Sequence, residues 1–68
     1  MAFEIVVNGE TRQVSEGQTV LDLLHELHLD PSRVAVELNR RIVKQPRWSE
    51  TVLDRGAEIE IVQFVGGG

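Results

Sequence analysis

The residues best suited to chemistry are three consecutive glycines at the end of the sequence, Gly66, Gly67 and Gly68. Glycine has no Cβ atom and adopts nearly any φ and ψ, so a glycine segment can enter a narrow channel that side chains would block. Fully extended, three residues reach roughly 10 Å. We therefore expect this tail to carry the terminal carboxylate of Gly68 into the active site of another protein. The alternative is a frayed chain end without a role, which is common at termini.

A free α-carboxyl group has a reference pKa of about 3.3 to 3.7, so it is an anion at neutral pH. It can attack a phosphorus centre, but it becomes an acyl donor only after activation, which adenylation by ATP would supply. The mixed anhydride then accepts sulfur and becomes a thiocarboxylate. In this interpretation ATP is used by a partner enzyme, and no cofactor is bound stably to the chain.

The other polar residues have no spacing that is typical of a catalytic or metal site. The chain has no cysteine, so thiolate nucleophiles and disulfides are excluded. His25 and His28 are three residues apart, whereas the zincin pattern spaces its histidines by four. Ser15, Ser32 and Ser49 lack the context of a nucleophile elbow. We therefore expect solvated histidines, no metal and no self-contained enzyme.

Composition restricts the class of protein further. A chain of 68 residues, 41% apolar and 26% charged, is expected to form one small globular domain. Its net charge of −4 disfavours nucleic-acid binding, which relies on neutralising phosphates. The absence of a long apolar stretch or a signal-like start predicts a cytoplasmic protein with no membrane contact. The expected partner is another protein.

Basic residues are concentrated in one segment of this acidic chain. Arg40, Arg41, Lys44 and Arg47 are four of the seven lysines and arginines. The cluster is either a recognition patch or a solvated basic turn, and the second interpretation is favoured because charge runs are usually solvated.

The first half of the chain predicts a hairpin followed by a helix. Apolar residues alternate over residues 3–7, and Asn8-Gly9 is typical of a type I′ turn, so residues 11–14 should return antiparallel. Thr19 followed by Asp22 resembles a capping box. The apolar residues after it recur at helical spacing, and the helix is expected to end at Asp30-Pro31.

The second half predicts three more strands. Residues 34–38 alternate, Asn39-Arg40 is a plausible turn into a brief strand at Ile42 and Val43, and residues 58–65 form the most strand-like run. Residues 47–53 are expected to form a loop or short helical turn that lays Trp48 and Leu53 on the core. This order favours an α+β fold of the β-grasp kind, with one main helix packed across a small mixed sheet. The first and last strands can pair parallel at its centre, because the helix permits a crossover.

The last strand has a predicted inner and outer face. If Ile59 and Ile61 point into the core, Val62 and Phe64 point outward. These two would form an exposed apolar patch beside the tail, suited to docking on a partner. The residues expected to contact the partner are Val62, Phe64 and Val65. In the alternative, sheet twist or the Trp48 loop covers Phe64.

Several segments together resemble one family. They are Asn8-Gly9, Gly17-Gln18-Thr19-Val20 before Leu23-Leu24, the strand 34–39, Ile42-Val43 with Trp48, and the ending 59–68. In length, order and final residues the chain resembles the sulfur carriers of thiamine biosynthesis, the ThiS family.

That resemblance implies a ubiquitin-like β-grasp domain, residues 1–65, and a glycine tail, residues 66–68. It also implies that an E1-like adenylyltransferase activates Gly68, that a sulfur donor such as a cysteine desulfurase supplies sulfur, and that thiazole synthase uses the thiocarboxylate. Gly67 and Gly68 take the roles of the family's terminal diglycine, and Gly66 is one glycine more. The chain would be a protein co-substrate and not an enzyme.

Two alternatives stay open at the level of sequence. A carrier for another pathway, such as the small subunit of molybdopterin synthase or a cysteine-synthesis carrier, would share the tail chemistry. The residues before the glycines, Val62 to Val65, lack the proline pair associated with the molybdopterin family. An interaction module with an incidental tail would not use Gly68 at all.

Overall fold

The computed structural model describes residues 1–64. Val65 and the glycine tail, residues 66–68, lie outside the described residues. The elements in chain order are β1 (Ala2–Val7), β2 (Glu10–Ser15), α1 (Val20–Glu26), a 3-10 turn (Pro31–Arg33), β3 (Val34–Leu38), β4 (Arg41–Val43), a 3-10 helix (Gln45–Glu50) and β5 (Glu58–Gln63).

The five strands form one mixed sheet in the order β2-β1-β5-β3-β4. β1 and β5 pair parallel, with Val6 opposite Glu58 and Val7 opposite Ile59. The other neighbouring pairs are antiparallel. The parallel central pair predicted from the sequence is confirmed, and the strand that precedes the tail is the middle strand of the sheet.

Two hairpins flank this central pair, and each turns through two residues with positive φ. In the β1–β2 turn, Asn8 has φ 50° and Gly9 has φ 83°. In the β3–β4 turn, Asn39 has φ 51° and Arg40 has φ 69°. Positive φ at both central residues is the type I′ geometry, which matches the twist of the flanking strands. Both turns were predicted from the sequence.

The start of α1 is as predicted, but its end is not. Thr19 is the N-cap, and its capping box with Asp22 is complete. The predicted end at Asp30-Pro31 was wrong, because α1 ends at Glu26. His28 adopts a left-handed conformation, φ 59°, and the N–H of Leu29 bonds the carbonyl of Leu24 at 3.0 Å. A left-handed residue just after the last turn closes a helix by satisfying its final carbonyls.

The core lies between α1 and one face of the sheet. Trp48 and Leu53 are buried in it, as expected, and the Trp48 indole N–H donates to the carbonyl of Val43 at 2.7 Å. The 3-10 helix around Trp48 contacts α1. The buried apolar residues are Ile5, Val14, Val20, Leu23, Leu24, Val34, Val36, Trp48, Leu53, Ala57 and Ile59. One helix packed across a mixed sheet with a parallel central pair is the predicted β-grasp architecture.

Candidate functional site

β5 is held on both sides along its length. On one side it pairs parallel with β1, and on the other it pairs antiparallel with β3 from Leu38 opposite Ile59 to Val34 opposite Gln63. Ile59 is buried and Ile61 is half-buried against the core. A strand fixed from both sides gives whatever follows it a defined starting position and direction.

The Asn8 side chain extends the pairing of β5 beyond the end of β1. Its carbonyl oxygen accepts the N–H of Ile61 at 2.7 Å, and its amide donates to the Ile61 carbonyl at 3.2 Å. The side-chain amide thereby takes the place of a further β1 residue. Sequence reasoning identified Asn8 as a turn residue and missed this contact, since nothing local signals a partner 53 positions away.

Phe64 is also anchored to the start of β3. Its N–H donates to the carbonyl of Arg33 at 2.7 Å. Arg33 is the last residue of the 3-10 turn. Asp30 caps this turn, because its carboxylate accepts the Ser32 N–H at 2.9 Å. That bond, with a second one from the Ser32 hydroxyl, lowers the pKa of the Asp30 carboxyl. The backbone is therefore ordered by named contacts up to the residue before Val65.

Beside this anchor lies an exposed apolar surface. Val62 is 58% exposed and Phe64 is 56% exposed. Val62 lies opposite Ala35, and Ile42, which is 74% exposed, is on the same outer face of the sheet. We call Ala35, Ile42, Val62 and Phe64 the tail-base patch. Monomeric proteins rarely leave large apolar groups together in water without a partner to cover them.

The exposure of Val62 and Phe64 follows the alternation expected for the last strand. Trp48 is buried in the core while Phe64 stays more than half exposed, so the alternative in which the Trp48 loop covers Phe64 does not hold. Ile42 joins the patch only through the β3–β4 register, which the sequence pattern did not reveal. Contact of Val62, Phe64 and Val65 with a partner stays a prediction.

Carboxylates border this patch on the same face. Glu37 lies directly opposite Glu60, two residues along each strand from the Ala35–Val62 pair. Both side chains are exposed. Like charges that face each other across strands do not stabilise a sheet, so this pair is not explained by folding alone.

Residues 1–64 offer few other groups suited to catalysis or metal binding. His25 and His28 are exposed, and this part of the chain has no cluster of three or more potential metal ligands. None of its helices is long and apolar enough to cross a membrane. The predicted reacting residues Gly66, Gly67 and Gly68 lie outside the described residues.

Comparisons with known proteins agree with this geometry. The model of the ThiS family matches residues 5–68. A sulfur carrier protein ThiS of Escherichia coli is 31% identical over 97% of this chain and 100% of its own length. A crystal structure of a thiamine biosynthesis protein (ThiS) from Geobacter metallireducens superposes with a TM-score of 0.83 at 30% identity, covering 97% of this chain and 100% of that one.

Longer relatives also match. A thiazole synthase of Paramagnetospirillum magneticum is 43% identical over 97% of this chain, but the match covers 20% of that protein. The chain thus spans about a fifth of the length of this relative.

Proposed function

The chain belongs to the ThiS family, and we propose that it is a sulfur carrier whose Gly68 carboxylate becomes a thiocarboxylate that donates sulfur for thiazole formation in thiamine biosynthesis. The observation that supports this most is the extent of the family match, which runs from residue 5 to residue 68 and so includes the glycine tail. The chain acts as a co-substrate in the cytoplasm, where ATP is available to its activating enzyme.

The proposed reaction has two steps. A carboxylate oxygen of Gly68 attacks the α-phosphorus of ATP, a P–O bond forms, and pyrophosphate leaves. Sulfide, which a thiol reductant releases when the donor carries its sulfur as a persulfide, then attacks the carbonyl carbon, a C–S bond forms, and the C–O bond to the phosphate breaks, releasing AMP and a proton and leaving the thiocarboxylate. Activation is needed because a carboxylate anion is inert as an acyl donor. Gly66 and Gly67 give the acyl group a tether without side chains.

The names of the longer relatives favour the thiazole pathway over other sulfur pathways. A chain of this length matched within thiazole synthases suggests that carrier and synthase work on one reaction. We therefore propose thiazole synthase as the acceptor, an E1-like adenylyltransferase as the activating enzyme, and a donor such as a cysteine desulfurase as the source of sulfur.

The tail-base patch is the proposed docking surface for these enzymes. Val62 and Phe64 are exposed at the point where the anchored part of β5 ends, and Val65 continues from it. An apolar anchor buried at an interface commonly contributes a large share of the binding free energy. A partner that covers this patch also receives the tail.

The test is the intact mass of the 68-residue protein after incubation with ATP, sulfide and the E1-like enzyme of the thiamine pathway. We expect a gain of about 16 Da, since sulfur replaces one carboxylate oxygen. Deletion of Gly68 should abolish the gain. Val62→Ser should raise the KM for the carrier with little change in kcat, whereas Val52→Ser, a matched change at a residue that is 50% exposed outside the patch, should change neither.

Two other results of the mass measurement would contradict the proposal. A mass gain that appears only with the molybdopterin activating enzyme would assign the chain to that pathway. No gain with any activating enzyme would mean that the chain is an interaction module.

A further inference from the structure

Lys44 is the only lysine among the seven lysines and arginines of the chain. Its side chain is exposed and makes no ion pair within residues 1–64. A guanidinium keeps its proton in proteins, whereas a lysine amine can lose its proton and attack a carbonyl carbon. Lys44 is therefore the only side chain that can form a stable amide with an activated acyl group.

The sheet places Lys44 near the end of β5. Val43 lies opposite Val36, and Ala35 lies opposite Val62. The backbone of Lys44 stays extended, with φ −73° and ψ 149°, so Lys44 comes level with Ala35, and β3 separates it from Val62. Adjacent strands are about 4.8 Å apart, which puts the Lys44 and Val62 backbones roughly 10 Å apart.

Lys44 also lies within reach of the glycine tail. It lines one groove, of about 310 Å³, together with Phe64. Residues 65–68 follow Phe64 and span roughly 13 Å when fully extended. Three of these residues are glycines, which adopt the positive φ that a reversal of chain direction needs. The Gly68 carbonyl carbon and the Lys44 amine can therefore meet in one molecule.

The α-amino group of Met1, the other amine in the structure, is too far away. It pairs with Glu16 at 3.7 Å. Val6 lies opposite Glu58 in the parallel pair, and Met1 precedes that level by five residues while Phe64 follows it by six. At about 3.3 Å per residue, roughly 30 Å separates Met1 from Phe64. This distance exceeds the length of the extended tail.

We propose that Lys44 is an internal acyl acceptor, which forms an isopeptide bond with Gly68 when the adenylated chain leaves its activating enzyme before sulfur arrives. The unprotonated Nζ of Lys44 attacks the Gly68 carbonyl carbon, a C–N bond forms, and the C–O bond to the phosphate breaks, releasing AMP and a proton. The inference rests on the proposed function, because that function supplies the adenylate. The product cannot accept sulfur, because its carbonyl carbon is held in an unactivated amide.

The short connection between the two groups sets how strongly this reaction competes with sulfur transfer. Groups joined by a short flexible segment meet at an effective concentration in the millimolar range. Sulfide well below that concentration should leave part of the protein acylated on Lys44, and sulfide well above it should suppress the isopeptide bond.

The experiment measures the intact mass of the 68-residue protein after incubation with ATP and the E1-like enzyme, first without sulfide and then with increasing sulfide. Without sulfide we expect a loss of about 18 Da, since forming the isopeptide removes one water overall. With sulfide, the gain of about 16 Da should replace this loss. Tryptic digestion of the product should give a branched peptide that joins residues 42–47 to residues 56–68, because trypsin does not cleave after an acylated lysine.

Two variants with unchanged net charge separate proximity from general reactivity. Lys44→Arg removes the amine, so it should abolish the mass loss and keep the gain with sulfide. The double variant Lys44→Arg with Arg55→Lys moves the single lysine to the other end of β5, since Arg55 precedes Glu58 and lies 5.7 Å from the Phe3 ring. It should behave like Lys44→Arg, because the tail does not reach that end of the strand.

The same mass loss in either variant would overturn the inference, because the acceptor would then be another group or its position would not matter. If the wild-type protein gains the sulfur mass with sulfide but loses no water without it, the inference fails and the proposed function stands. If the wild-type protein shows neither change with any activating enzyme, the proposed function fails, and the inference fails with it.

Discussion

Asn8 and Asn39 occupy equivalent positions in the two hairpin turns, and each bonds the backbone of β5. Asn8 holds Ile61 at two points. Asn39 accepts the N–H of Glu58 through its side chain at 2.9 Å, and its own N–H donates to the Glu58 carbonyl at 2.7 Å. Both tolerate the left-handed conformation that places the amide beside the strand. The two asparagines therefore hold the strand that leads to the tail from its two sides, Asn39 at its first residue, Glu58, and Asn8 further along, at Ile61.

Replacing each asparagine by glycine tests this pairing, since glycine keeps the turn geometry and removes only the side-chain bonds. Asn8→Gly should accelerate hydrogen exchange of the Ile61 amide, and Asn39→Gly that of the Glu58 amide. Each should lower the free energy of unfolding by about 1 kcal/mol, measured by urea denaturation. The two variants serve as mutual controls. If either variant accelerated the hydrogen exchange of both amides equally, the effect of each asparagine would not be confined to the amide that it bonds.

At the scale of elements, α1 is short, and polar contacts stabilise both its ends. The Asp22 carboxylate accepts the Thr19 N–H at 3.0 Å, and this bond is the main cause of its lowered pKa. At the other end, Glu26 accepts from Arg12 and from Gln18, each at 2.9 Å, and the Arg12 bond contributes most to its lowered pKa. The Arg12 bond ties the last turn of α1 to β2.

These lowered pKa values predict loss of stability in acid. A carboxyl whose pKa is depressed by folding stabilises the folded state above its unfolded pKa, and this contribution disappears as the pH falls through the folded value. The free energy of unfolding should therefore fall from about pH 5 downward. Asp22→Asn with Glu26→Gln should lower stability at neutral pH and flatten the acid slope.

Urea denaturation at a series of pH values checks this prediction. Glu10→Gln is the matched control, because the exposed Glu10 carboxylate makes no hydrogen bond within residues 1–64. An acid slope unchanged by the double substitution would show that Asp22 and Glu26 do not cause it.

At the scale of the whole molecule, β5 packs against the core on one face and exposes apolar side chains on the other. Ile59 is 1% exposed, whereas Val62 and Phe64 are more than half exposed. A domain of this size has a total stability of only about 3 to 10 kcal/mol. The protein nevertheless leaves two large apolar side chains in water, one in its central strand and one directly after it, where they contribute little to folding.

Alanine substitutions along β5 should therefore separate folding from binding. Ile59→Ala should cost about 3 kcal/mol, and the milder Ile59→Val about 1 kcal/mol. Val62→Ala and Phe64→Ala should change stability by less than about 0.5 kcal/mol. Urea denaturation followed by the fluorescence of Trp48, the single tryptophan, measures all four. A cost for Phe64→Ala that approaches that of Ile59→Ala would mean that Phe64 belongs to the core.

The sequence by itself determined what depends on neighbours along the chain. The type I′ turn at Asn8-Gly9, a turn at Asn39-Arg40, the Thr19 capping box and the two faces of β5 follow from residue types at spacings of a few positions, because turn, cap and strand geometry are local. The candidate reacting residues were recognised in the same way, as a run of glycines. The end of α1 was not, because His28 adopts a left-handed conformation without the glycine that usually signals one.

Only the tertiary structure decided which distant residues meet. The Asn8 contact with Ile61, the place of Ile42 on the same outer face as Val62, and the groove that Lys44 and Phe64 share all depend on how strands align across the sheet. Strand register is set by packing of the whole core, and a shift of one residue would turn every side chain to the other face. That register places Ala35, Ile42 and Val62 on the same outer face of the sheet.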